Sequence, residues 1–320
     1  MIRLLADEDV RRLVPLDVTL ELVENAFRAH AEGATESFPV VRTGIEDHDG
    51  IFGIKSGRLR DPDTLGLKAG GYWRGNPQRH GISAHQSTVV LFEPATGRPE
   101  ALLRANYITE ARTAAAGAVA AAALANRDAS VVTVFGAGRQ ARVQIEALAL
   151  RFELRRVHVV ARRPEAAARL AKAWADAPFD VVTDADGERA CSEADIVVTT
   201  TPSFEPLLDD AWVRPGTHVN AIGSDTRGKG ELDEALLARA RFFVDSEEQS
   251  RSLGEGQRLG AGVAVTGSLG GVLVGKERGR IDRDDVTVFD STGVTFQDLV
   301  MARHALDRAR EAGAGTEHAL

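Results

Sequence analysis

Cysteine occurs once in the 320 residues, as Cys191, which excludes an intramolecular disulfide and any zinc site built from several thiolates. A reducing cytoplasm is the expected home, and Cys191 reads as a semi-buried bystander. Only two tyrosines are present, and neither has a lysine four residues on: Tyr72 meets Asn76 and Tyr107 meets Ala111. That removes the Tyr-Lys pair of short-chain dehydrogenases. The eight histidines form no HExxH, and Ser83, Ser87 and Ser224 stand in no GxSxG elbow, so no metal site and no serine nucleophile is expected. No apolar run is long enough to span a bilayer; the most apolar, from Thr113 to Leu124, is short and rich in alanine. The first residues, MIRLLADEDVRRL, break their apolar positions with acids, unlike an export signal. A net charge of -8 argues against a nucleic-acid partner.

What remains is an ordinary globular composition, 43% hydrophobic and 27% charged, in a chain long enough for two domains. A helix is expected from Asp17, as N-cap, to a stop at Gly33. β-leaning segments at Phe38 to Val41, Ile51 to Lys55, Leu65 to Trp73 and Ser87 to Phe92 predict a small antiparallel sheet. An alanine-rich helix follows from Ile108. Then VVTVF, VHVVA, FDVVT, DIVVTT, HVNAIG and FFVD alternate with helical stretches, as in a doubly wound Rossmann-type parallel sheet. The fold class is therefore α/β, with a dinucleotide-binding domain over 119–287 and a smaller α+β substrate-binding domain from 1–118 with 288–320. The tail EAGAGTEHAL is expected to fray.

The stretch VVTVFGAGRQA carries the chemistry best. Gly136 and Gly138 leave a strand in a tight turn, bring backbone close to a pyrophosphate at the next helix N-terminus, and Ala141 lets that helix pack closely. A nicotinamide cofactor is the leading reading. At the end of the second strand, an acid would bind the ribose of NAD; this chain has Ala161, Arg162 and Arg163, which favour NADP, although both arginines also fit as solvated surface charges and Glu165 is near. Asp225 follows the strand HVNAIG, where open sheets place reacting groups and where an apolar nicotinamide face beside it would raise its pKa for proton transfer. Capping a turn, or the helix near Glu231, is an equal alternative for it. Lys68 in a strand reads most simply as solvent-facing. Arg112, in the first turn of the alanine helix near Thr109, sits where the dipole disfavours a cation, as if answering a bound anion.

Taken together, GLKAGGYW, AHQSTVVLFEPATG, ITEARTAAAGAVA, FGAGRQA, AIGSDTRGKGEL and VTVFDSTGVTFQDL resemble the ornithine cyclodeaminase and mu-crystallin family over most of the chain. The resemblance implies a homodimer joined through the N-terminal sheets and an active site between the two domains. It implies Lys68, Arg112 and Arg42 as carboxylate binders, Lys68 also in catalysis, and Asp225 as acid/base. For the cofactor it implies Gly138, Arg139 and Gln140 at the phosphates, with Thr200, Ile222 and Ser291 in adjacent motifs. Phe52 stands where the cyclodeaminase branch has a glutamate, whereas Asp225 is a residue the mu-crystallin branch lacks. The function implied is NAD(P)H-dependent reduction of a small cyclic ketimine carboxylate, pyrroline-2-carboxylate or piperideine-2-carboxylate. Alternatives are an ornithine or lysine cyclodeaminase, an amino-acid dehydrogenase, and a crystallin-like ligand binder.

Overall fold

The computed structural model describes residues 1–260 and 262–319. The backbone divides into two compact units, Met1–Arg112 with Val294–Leu320, and Thr113–Gly293.

The first unit contains β1 (Ile2–Leu5), β2 (Thr35–Ser37), β3 (Val41–Ile45), β4 (Gly50–Arg60), β5 (Asp63–Trp73), β6 (His85–Phe92), β7 (Pro99–Arg104) and a terminal strand, Thr316–His318. They hydrogen-bond in the order terminal strand, β1, β7, β6, β5, β4, β2, with β3 also on β4. The sheet is mixed, because β1 runs parallel to β7 while β4, β5 and β6 are antiparallel neighbours. The expected strand at Phe38 to Val41 is instead two, on either side of residues 38–40. The tail does not fray: Thr316–His318 pairs with β1, and Arg3 donates to the carbonyls of Ala309 and Ala314 at 2.8 and 3.1 Å. Small and polar composition was a poor guide there, since main-chain pairing needs no apolar side chain.

The expected N-terminal helix runs Leu16–Ala31, with Pro15 rather than Asp17 at the N-cap; Gly33 follows its end at φ +79°. It packs against the Thr295–Ala312 helix, which also covers β4, β5 and β6. Phe27 and Phe296 meet edge-on at 5.4 Å, and His30 stacks on Phe296 at 4.7 Å. At Gly66 of β5 a Cβ would lie 2.8 Å from Leu299 Cδ2, so glycine lets the helix come down onto the sheet.

The second unit contains β8 (Val131–Phe135), β9 (Arg156–Val160), β10 (Asp180–Asp184), β11 (Ile196–Thr199), β12 (His218–Ala221), β13 (Arg241–Val244), β14 (Gly267–Ser268) and β15 (Thr287–Asp290). All are parallel, in the order β10, β9, β8, β11, β12, β15, β13, β14. This is the doubly wound arrangement: the chain starts at β8, winds outward to β10, then returns to the other side of β8. The residues of β8, β11, β12 and β15 are all buried, as expected when helices flank both faces. The run from Val288, expected to return to the first domain, is instead β15, inserted between β12 and β13; the return begins at Val294. No described helix is long and apolar enough to cross a membrane.

Phe296 is almost wholly buried between the helix pair, so Phe296→Ala should lower the unfolding free energy by about 3–5 kcal/mol. Urea unfolding checks this; a loss below about 1 kcal/mol would mean the helices do not depend on that contact.

Candidate active site

Lys68 lies mid-strand in β5, directly across from Lys55 on β4 and Val89 on β6. It does not face solvent, as local sequence had favoured. Its ammonium donates to Asp298 Oδ1 at 2.8 Å and lies 2.7 Å from Oδ2, with Thr109 Oγ1 at 3.4 Å. Arg112 reaches the same carboxylate, Nε to Oδ1 at 3.2 Å, and its Nη1 donates to Gln297 Oε1 at 3.2 Å. The alanine helix begins at Asn106, so Arg112 belongs to its second turn, not its first, and the anion its charge meets in the protein is Asp298. Asp298 in turn sits in the first turn of the Thr295–Ala312 helix, where the N-terminal dipole favours an anion.

Burial pushes the Lys68 ammonium down to about 7, helped by Arg112 and Lys55 and opposed by Asp298. Burial alone would raise Asp298, but Lys68 and Arg112 outweigh it and hold the carboxyl below its ordinary value. Two cations thus share one carboxylate, and a second carboxylate, from a ligand, would balance the cluster. Arg42 stands on the same sheet: it pairs in register with Gly53, which faces Gly70, which faces Ser87. That row has two glycines between Arg42 and Ser87 and hence a flat floor beside Lys68. Phe52 lies one residue along β4 and so points to the opposite face.

In the second unit, the expected cofactor residues fall at the carboxyl ends of adjacent parallel strands. Gly136 follows β8, Thr200 follows β11, Ile222 follows β12 and Ser291 follows β15. Gly136 has φ +113°, and a Cβ there would lie 2.5 Å from Thr200 Oγ1, itself bonded to the Phe135 carbonyl. Gly138 is the N-cap of the Arg139–Ala149 helix, and a Cβ on it would meet no protein atom within 4 Å. Nothing among the described residues demands glycine at 138, which fits close approach by an external group such as a pyrophosphate. Two buried polar atoms beside this edge, Ser291 Oγ and Gln140 Nε2, have no hydrogen-bond partner among the described residues, and these too fit a polar ligand. Arg162 and Arg163 are exposed, Arg163 as the N-cap of the Pro164–Lys172 helix. Cys191 is fully buried, not semi-buried, and burial pushes its thiol up to about 12.

Asp225 lies three residues beyond Ile222 in a loop. Its Oδ1 accepts from Lys229 Nζ at 2.8 Å and Thr226 Oγ1 at 3.0 Å, and its side chain is 42% exposed. It caps no helix: the next one, Glu234–Arg239, is capped by Asp233. Lys229, itself mostly buried, also donates to the Gly223 carbonyl at 3.4 Å, tying the loop across its mouth. Sequence reasoning passed over Asp298, Gln297 and Lys229, although the first two lie in the VTFQDL block and the third in RGKGEL.

A parallel sheet whose strand ends carry Gly136 and Gly138, in one unit, and the buried Lys68–Asp298–Arg112 cluster, in the other, are features of a nicotinamide-dependent oxidoreductase. A family model for ornithine cyclodeaminase/mu-crystallin proteins matches residues 2–313, and the chain belongs to that family. It is 41% identical over 318 residues to the iminosuccinate reductase of Paracoccus denitrificans (strain Pd 1222), covering 98% of each chain. The structure of that reductase with NAD+ superimposes with a TM-score of 0.93 over 100% of this chain and 99% of the other. The Δ1-pyrroline-2-carboxylate reductase of Thermococcus litoralis, solved with NADH and L-proline, gives 0.94 at 27% identity, covering 99% and 100%. An archaeal alanine dehydrogenase dimer with NAD gives 0.93 at 34% identity, covering 99% of each.

Removing the shared anion strands two buried cations. Asp298→Asn should therefore cost about 3–5 kcal/mol of stability by urea unfolding, and Lys68→Met, which leaves the Asp298–Arg112 pair, clearly less. The reverse order would show that Asp298 does not neutralise the cluster.

Proposed function

We propose that the protein catalyses NAD(P)H-dependent reduction of a carbon–nitrogen double bond adjacent to a carboxylate, giving a 2-amino acid. The observation that carries this is the Lys68–Asp298–Arg112 cluster, two cations on one carboxylate, in a chain whose relatives include reductases of an open-chain and a cyclic imino acid. Their shared chemistry is the imine next to the carboxylate, and ring closure is a secondary matter.

Lys68 and Arg112, with Arg42, hold the substrate carboxylate and so orient the imine carbon. The bound nicotinamide supplies the hydride. Asp225 moves the proton at the imine nitrogen, with Lys229 holding its carboxylate in place. Gly136, Gly138, Arg139 and Gln140 receive the dinucleotide phosphates, with Thr200, Ile222 and Ser291 along the nicotinamide half. The named relatives were solved with NAD or NADH, and NAD(H) fits this chain as well; Arg162 and Arg163 add two guanidinium groups that favour a 2'-phosphate, and so NADP. The archaeal dehydrogenase is a dimer, and we assign the same state here, with the cytoplasm as the compartment.

The test is a panel: purified protein with NADH or NADPH and, separately, iminosuccinate, pyrroline-2-carboxylate, piperideine-2-carboxylate and ornithine. Stoichiometric cofactor oxidation with an imino acid is expected. Proline from ornithine without net cofactor use would instead make it a cyclodeaminase. Because the protonated ammonium binds the carboxylate, kcat/KM should fall as pH rises through about 7, and Lys68→Arg, charged throughout, should flatten that fall. An unchanged profile removes Lys68 from carboxylate binding. Arg162→Ala with Arg163→Ala should weaken NADPH binding while sparing NADH; equal losses would end the NADP preference.

A further inference from the structure

The route by which the chain leaves β12 toward Asp225 is fixed by a buried side chain with no part in the chemistry above, Glu231. Its Oε1 accepts from the Thr201 amide and hydroxyl, both at 2.7 Å. Its Oε2 accepts from Thr199 Oγ1 at 2.6 Å and the Gly223 amide at 2.8 Å. Four donors from the ends of two neighbouring strands therefore converge on one carboxylate. An ionised carboxylate accepts at both oxygens and donates nothing, which suits four donors; the amide of Gln would turn an N–H toward two of them. Gly223 is shaped to this contact, since a Cβ there would lie 2.5 Å from Glu231 Oε2 and 2.2 Å from the Thr201 carbonyl.

No Lys or Arg pairs with Glu231 among the described ion pairs. Behind it stands a second carboxyl, Glu255, accepting from the amides of Glu231 and Leu232 at 2.7 and 3.4 Å. A third, Asp290, accepts from the hydroxyl of Ser250 and from the Gly256 amide. Burial pushes all three upward, Glu255 to about 8 and Asp290 to about 7, while the Thr199, Thr201 and Gly223 donors oppose it at Glu231. A fold seeking stability alone would fill this space with apolar side chains. What the arrangement supplies is a fixed geometry for Gly223, two residues before Asp225.

We propose that Glu231 is a positioning residue for Asp225: by tying Gly223 to Thr199 and Thr201 it fixes where the Asp225 carboxylate stands, and with it the proton step of imine reduction. This rests on imine reduction as the activity and on Asp225 as its acid/base.

The experiment is a double-mutant cycle on the full-length protein with the cofactor and imino acid of that panel that it turns over fastest, using Glu231→Gln, Asp225→Asn and both together. Glu231→Gln should lower kcat about tenfold or more, with affinity for that cofactor within about twofold of wild type. In the Asp225→Asn background the same change should cost less than about twofold, because the group it positions is gone. Losses that multiply, or a kcat loss that follows cofactor affinity and melting temperature, overturn the proposal and make Glu231 a structural residue only. If Glu231→Gln does not fold, Thr201→Val, which removes one donor and leaves the carboxylate, takes its place: a loss of about threefold that vanishes beside Asp225→Asn supports the proposal, and a loss of the same size in both backgrounds overturns it. A wild-type rate in Asp225→Asn overturns the proton role together with the proposal, whereas no oxidation of NADH or NADPH by the wild-type protein with any imino acid of the panel overturns the activity itself.

Discussion

Asp298 has no exposed surface and yet stays ionised, because Lys68 and Arg112 converge on it. The burial of both cations depends on it. Its place at the start of the Thr295–Ala312 helix links the charge cluster to the packing of the unit, since the same helix sets Phe296 against Phe27 and Leu299 over Gly66. The return of the chain to the first unit at Val294 is thus what completes the cluster. The same helix supplies both the cover that buries the two cations and the anion that neutralises them.

The second unit obeys a different constraint, backbone brought close to other groups at the carboxyl ends of parallel strands. Gly136 gives way to Thr200 and Gly223 to Glu231, in both cases because a side-chain oxygen occupies the space of a Cβ. Gly117 of the alanine helix does the same for Gln144, whose Nε2 donates to the Thr113 carbonyl. Polar side chains are used here as braces for backbone, which suits an edge that must receive a polar ligand in one orientation.

Much of this was legible in the chain. The β-branched runs of β8, β11 and β12 announced a buried parallel sheet, and GAGRQA marked the turn and helix that follow. Lys68 shows where local reading stops: a lysine in a strand says nothing of an aspartate 230 residues away, and only the family resemblance pointed to it. Asp298 and Glu231 were passed over because their neighbours explain them as ordinary helix-start and loop acids; their meaning comes from partners distant in sequence or from burial. The tail misled for a related reason, since edge pairing through main-chain bonds leaves little trace in composition.

The central claim is that hydride passes to a carbon bearing both nitrogen and a carboxylate, and isotope transfer tests it most directly. With NADH or NADPH deuterated at the transferring C4 position and pyrroline-2-carboxylate or iminosuccinate as acceptor, proton NMR of the product should show one deuterium on the α-carbon for each cofactor oxidised. An unlabelled product, or amino acid formed with no net cofactor oxidation, would contradict it.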